Sequence, residues 1–126
     1  MKKSGQERRL HPRINQELPL KVIANGYDFK TSTQNVSCLG AYCSISKYIP
    51  PFTKVMVHLD LPIMAKTGNK NCPVECKGVV VRTEDTPNGN FNVAIFFNGI
   101  RDEQRKKISQ YISQFIPENS PALQRM

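Results

Sequence analysis

Two short patterns of polar side chains have types and spacings suited to chemistry. Arg9-Leu10-His11-Pro12-Arg13 sets two arginines four residues apart, and Asn35-Val36-Ser37-Cys38-Leu39-Gly40 sets asparagine, serine and glycine in an NxSxxG spacing. A guanidinium is a planar fork of donors that pairs with phosphate oxygens, engages guanine O6 and N7, and stacks on base faces. In an extended segment, residues four apart point the same way and lie roughly 13 Å apart. Arg9 and Arg13 can therefore grip two regions of one ligand bearing guanines and phosphates, with Arg8 turned away. The Asn35 amide offers a donor and an acceptor to a guanine edge, and the Ser37 hydroxyl does either. At the two-residue period of a strand, Asn35 and Ser37 share an exposed face while Val36 and Cys38 turn to the core. Gly40 is expected to allow close approach of backbone and ligand or to supply a positive φ for the turn. Each pattern alone also has an ordinary explanation: a solvated basic arm, and a strand end capped by its own turn.

The elements that must position these residues follow from hydrophobic periodicity. Residues 1–16 are polar and basic, and His11, standing before Pro12, is pushed toward extended conformations, so this stretch is expected to be a flexible arm. Short alternating runs follow at 18–24, 29–36, 41–46, 54–61, 74–82 and 90–98, which predict six strands. Turn chemistry separates them: Asn25-Gly26, Leu39-Gly40, Pro50-Pro51, Thr67-Gly68-Asn69 and Pro87-Asn88-Gly89. Val55, Val57 and Leu59 alternate with Met56, His58 and Asp60, and Phe91, Val93, Ile95 and Phe97 repeat the pattern. Such spacing favours an antiparallel meander or Greek-key barrel. After Gly99 the period changes: Ile108, Tyr111, Ile112 and Phe115 form one helical stripe. This predicts a closing amphipathic helix that starts at Asp102 and Glu103 and is stopped by Pro117. The domain is thus expected over 17–117, with a disordered tail at 118–126.

A chain of 126 residues holds one compact core. Its net charge is +8, and half of that excess sits in the first thirteen residues, where Lys2, Lys3, Arg8, Arg9 and Arg13 face only Glu7. A basic arm attracts phosphate-bearing ligands, nucleic acid or anionic membranes alike. No apolar run is long enough for a membrane span, and Lys2 and Lys3 lead into polar residues, so a cytoplasmic location is expected. Cys38, Cys43, Cys72 and Cys76 are spaced by four and three residues, which misses the CxxC knuckle of most structural zinc sites. They read as small core residues, with no metal expected. Two isolated histidines and no nucleophile paired with a base argue against an enzyme. His58 reads as solvent-facing, and His11 as a spacer before Pro12.

An RxxxR arm followed roughly two dozen residues later by (D/N)xSxxG, ahead of a small barrel, resembles the PilZ domain family. The likeness covers nearly the whole chain. It extends to Gln6-Glu7-Arg8-Arg9-Leu10-His11-Pro12-Arg13, Leu18-Pro19-Leu20, Gly78-Val79-Val80-Val81-Arg82 and Asn92-Val93-Ala94-Ile95-Phe96-Phe97. The resemblance implies a mainly β fold: a six-stranded antiparallel Greek-key β-barrel with an extended N-terminal arm and one C-terminal α-helix. It implies a bacterial receptor for cyclic di-GMP without catalytic activity or cofactor, whose bound arm signals to an unidentified effector protein controlling motility, biofilm or a related output. By position, the ligand roles fall to Arg9, Arg13, Asn35, Ser37 and Gly40, with Arg8 as helper. Asn35 stands where many members carry Asp, which removes an acceptor charge that would face guanine N1-H and N2-H. The expected assembly is a monomer or weak homodimer, with no nucleic acid bound. Two other readings follow from the same residues: a PilZ-fold adaptor that binds only protein, and a small-barrel nucleic-acid binder, which the absence of Trp disfavours.

Overall fold

The computed structural model describes residues 12–65 and 68–116, with side chains described outside 63–70. Six antiparallel strands close into a barrel: β1 (Pro19–Ala24), β2 (Tyr27–Val36), β3 (Gly40–Ile45), β4 (Lys54–Ala65), β5 (Gly68–Asp85) and β6 (Phe91–Gly99), followed by helix α1 (Asp102–Ser113). Around the wall the order is β1-β2-β3-β6-β5-β4. Two three-stranded meanders are therefore joined by the β3–β4 connection, and β3 pairs with β6 while β1 pairs with β4. Alternation drives closure. Val22, Val36, Val57, Leu59, Val74, Val80 and Val93 point inward and are almost wholly buried. Burying a side chain of this size contributes about 1.5 to 3 kcal/mol.

The turns obey local chemistry. Asn25 and Gly26 both take positive φ, 52° and 83°, the hairpin turn whose twist matches that of its strands. At the β3–β4 connection Phe52 also has positive φ, 73°, with its N–H donated to the Val80 carbonyl at 2.6 Å. For an L-residue this conformation costs about 1 to 2 kcal/mol, and at 81% exposure the ring recovers little by burial. Phe52→Gly is expected to stabilise the domain by about 0.5 to 1 kcal/mol, after allowing for glycine's greater freedom when unfolded. The thermal midpoint, followed by circular dichroism, should rise by roughly 2 to 4 °C. Phe52→Ala keeps the Cβ and should show no such gain.

The six strands and the helix match the periodicity, with two corrections. First, Gly68 and Asn69, expected in a turn, belong to β5. They already pair with Ala65 and Met64, making β4 and β5 a long ribbon. Past Leu59 in β4 and before Lys77 in β5, the two strands pair only with each other among the described residues. Pro62 and Pro73 stand in that stretch, where a missing N–H is tolerated. Second, the helix ends at Ser113, and Phe115 lies beyond it, half exposed and edge-on to Tyr111. Pro117 is outside the described residues, as is the tail. Ile108, Tyr111 and Ile112 are the residues that α1 buries against the barrel, and Asp102 and Glu103 occupy its first turn as expected.

His58 faces outward as expected, with 35% of its side chain exposed, and its Nδ1 lies 3.2 Å from Glu75 Oε2. Among the cysteines, Cys38, Cys43 and Cys76 are buried free thiols and Cys72 is half-buried, in keeping with their reading as core residues. Burial pushes the Cys43 thiol up to about 12 and Cys76 to about 11. Both stay protonated near neutrality, the form that neither attacks nor ligates well.

Candidate functional site

The site is built on the outer wall where β2, β3, β6 and β5 run side by side. Thr33 and Val36 both point inward although they are three residues apart, because the register of β2 against β3 shifts between Thr33 and Asn35. The extra residue of this bulge turns Asn35 to the outer wall, as bulges do where a side chain must be re-aimed. Residue pairing then carries one row across four strands. Asn35 pairs with Tyr42, Tyr42 with Ala94, and Ala94 with Arg82. The neighbouring outward row runs from Gly40 to Phe96 to Val79. Between the two lies an inward row of Val36, Ala41, Ile95 and Val80.

These outward rows floor a groove of about 710 Å³, a volume within the range of small-ligand sites. Arg13, Asn35, Ser37 and Leu39 line one side, Gly40, Tyr42, Ala94 and Phe96 the floor, and Val81 and Arg82 the other side. Arg13, Asn35, Ser37 and Gly40, four of the residues singled out by motif, therefore meet at one place. Arg8 and Arg9 lie outside the described residues, as does His11.

Arg13 is placed by the residue that follows it. Ile14 is buried and bridges Val36 through two backbone hydrogen bonds of 3.0 Å, so the chain beside β2 is a short continuation of the sheet. Alternation then leaves Arg13 exposed. A second tie lies two residues on: buried Thr33 Oγ1 accepts the Leu18 N–H at 2.9 Å and donates to the Gln16 carbonyl at 2.5 Å. Thr33→Val keeps the shape and removes both bonds. It is expected to destabilise the domain by about 1 to 3 kcal/mol in urea unfolding and to loosen the segment that carries Arg13.

Two expectations about the NxSxxG residues need correction. Ser37 does not share an exposed face with Asn35. The strand ends at Val36, the chain turns, and Ser37 is only 6% exposed. Its N–H is donated to the Gly40 carbonyl at 2.9 Å and its Oγ accepts the Leu39 N–H at 3.0 Å, so the hydroxyl holds the turn while bordering the groove. Gly40 has no positive φ. A Cβ there would collide with the Ile95 carbonyl oxygen and lie 3.3 Å from the Phe96 Cα, so glycine lets β3 approach β6. Cys38 turns inward as expected, with its Sγ 2.9 Å from Ser109 Oγ of α1, which joins the turn to the helix.

Sequence reasoning did not single out Tyr42, Arg82, Ala94 or Phe96 as site residues. The Tyr42 hydroxyl donates to Glu84 Oε1 at 2.7 Å, and this carboxylate raises the phenol above its usual value, so it stays protonated near neutrality. Glu84 Oε2 lies 3.5 Å from Arg82 Nε, and the Arg82 guanidinium lies 5.9 Å from the Tyr42 ring centroid. The wall thus carries donors at both ends and exposed apolar surface from Leu39, Val81 and Phe96 between them.

Among the described residues no helix is long and apolar enough to cross a membrane. Among solved structures, the chain is similar to the inhibitor of motility MotI/DgrA of Bacillus subtilis, with a TM-score of 0.74 at 16% identity over 86% of this chain. That match covers 51% of the Bacillus protein, so the chain spans about half its length. It is also similar to the PilZ domain with c-di-GMP of YcgR from Escherichia coli, with a TM-score of 0.55 at 10% identity over 85% of this chain and 90% of that one. At these identities the likeness is one of fold. No curated protein sequence matches the chain. Residues 7–114 match the family model described as PilZ domain. With that match spanning the whole barrel and the helix that closes it, the chain belongs to the PilZ domain family.

Proposed function

We propose that the protein is a receptor for cyclic di-GMP and that the groove beside Asn35 is where the dinucleotide binds. The observation that carries this reading is the convergence of Arg13, Asn35, Ser37 and Gly40 on one groove of small-ligand size. Arg13, joined by Arg9 and aided by Arg8, holds phosphate and guanine, the Asn35 amide and Ser37 hydroxyl address a guanine edge, and Gly40 keeps the wall open beneath it. The family match and the ligand named for the YcgR domain support the choice of dinucleotide. Nothing in this arrangement pairs a nucleophile with a base, so the protein acts by binding.

Binding becomes signal when the ligand bridges the arginines of the arm to the 35–40 segment and fixes the arm over the wall. Ordering a residue costs about 1 to 2 kcal/mol, so part of the interaction energy goes into arm closure and the net affinity is moderate. The covered wall then presents a changed surface to an effector protein. Cys38 and Ser109 link the binding turn to α1, which supports the helix as a second face that responds. Motility is the output favoured by the described action of MotI/DgrA.

Isothermal calorimetry with cyclic di-GMP tests the reading, with GTP and cyclic di-AMP as controls. Saturable binding of cyclic di-GMP alone is expected, weakening as salt is raised. Equal response to all three nucleotides, or none at high ligand, would overturn it in favour of an adaptor that contacts only protein.

A further inference from the structure

Arg82 lies outside both motifs yet stands in the same cross-strand row as Asn35, through Tyr42 and Ala94. Three strand spacings separate the ends of that row, roughly 14 Å along the wall. As with Asn35, a bulge sets the direction. The register of β5 against β6 shifts between Val80 and Arg82, so Val80 points inward, Val81 is extra, and Arg82 emerges on the outer wall. Ala94 between Tyr42 and Arg82 leaves the middle of the row low, with Phe96 exposed beside it.

The surroundings of Arg82 hold its fork in place. Glu84 accepts from Tyr42 with one carboxylate oxygen and faces Arg82 Nε with the other. Exposed ion pairs of this kind add little to stability, so holding the fold together is a poor account of the cluster. Its effect is to restrain the guanidinium near Tyr42, with Nε facing that carboxylate.

We propose that Arg82 is a further ligand-binding arginine, which reads the second guanine of the dinucleotide while that base rests on Phe96 and Val81. This rests on the reading of the groove as a cyclic di-GMP site. One guanine sits at Asn35 and the other at the far end of the row, where a guanidinium pairs with O6 and N7 and an aromatic ring supports the purine face. Adenine presents an amino donor where guanine has O6, so it is a poor substitute at the Arg82 end.

Calorimetry on the full chain tests this with wild type, Arg82→Ala and Arg82→Lys, each titrated with cyclic di-GMP and with the hybrid cyclic GMP-AMP. Arg82→Ala should bind cyclic di-GMP roughly ten- to a hundredfold more weakly, as loss of a hydrogen-bonded charge requires. Lysine should not restore it, because a point charge lacks the fork. The hybrid, with its single guanine at Asn35, should lose much less affinity in Arg82→Ala. An unchanged thermal midpoint without ligand is expected for both variants. Wild-type affinity in Arg82→Ala, full rescue by lysine, or equal losses for the two ligands would overturn the role of Arg82 while leaving the groove as the site. Absence of any binding by the wild type would instead overturn the reading of the groove itself.

Discussion

Replacing Gly40 by alanine is expected to destabilise the domain by about 3 kcal/mol or more, the upper range for forcing an extra carbon into a packed position. The new Cβ would run into the Ile95 carbonyl, with the Phe96 Cα 3.3 Å away. These are backbone atoms of a paired strand, so relief requires β3 and β6 to separate where Gly40 pairs with Phe96 and Ala41 with Ile95. Those pairs form the floor of the groove, so the same change should distort the candidate site. The thermal midpoint should fall by roughly 10 to 15 °C. Gly78→Ala provides the contrast. There a Cβ would come 2.8 Å from the Ile95 Cγ2 methyl and 3.1 Å from the Phe96 carbonyl oxygen, both less severe than the clash with the Ile95 carbonyl at Gly40, so the loss should be smaller. Similar midpoints for the two variants would show that the close approach of β3 to β6 is not what Gly40 provides.

The Arg9→Ala, Arg13→Ala double variant is expected to lose binding of cyclic di-GMP by at least a hundredfold and to keep its unfolding midpoint. Each charge-assisted hydrogen bond contributes about 1.5 to 3 kcal/mol, and two such losses exceed what the remaining polar contacts can supply. Stability should be spared because Arg13 is exposed, while the anchoring of its segment comes from Ile14 against Val36 and from Thr33. Retained tight binding would remove the arginines from the mechanism. A large fall in midpoint would mean that they act on the fold. Calorimetry and thermal melting of one preparation separate these outcomes.

Most of the barrel was legible in the sequence because inward and outward residues alternate within each strand. Val55, Val57 and Leu59 are buried while Met56 and Asp60 are exposed, and Val93, Ile95 and Phe97 form the buried face of β6. Where the reading failed, the cause lay in contacts between distant segments. A turn signal at 67–69 yielded to pairing of Gly68 with Ala65, and a helical period continued on paper through Phe115, which the chain leaves outside the helix.

The two sides of the candidate site differed in the same way. Arg13, Asn35, Ser37 and Gly40 were visible because their types and spacings form patterns within short segments. Their physical roles were less visible: alternation continued past the end of a strand misplaced Ser37, and the need for glycine at position 40 comes from a strand more than fifty residues away. Arg82 was read only as the end of the family-like run Gly78-Val79-Val80-Val81-Arg82, with nothing local to mark it as a site residue. It follows a run of three valines that reads as plain strand, and only the shift at Val81 and the pairing through Ala94 bring it level with Asn35.

The central claim is that this outer wall receives cyclic di-GMP, and its most direct test is a titration of the 15N-labelled protein followed by amide chemical shifts. The account predicts that the largest changes fall on residues 35–42, on Ala94 and Phe96, and on Val81 and Arg82, with the far wall at β1 and β4 little affected. Changes concentrated on β1, β4 or the exposed face of α1, with the 35–42 segment unmoved, would contradict it.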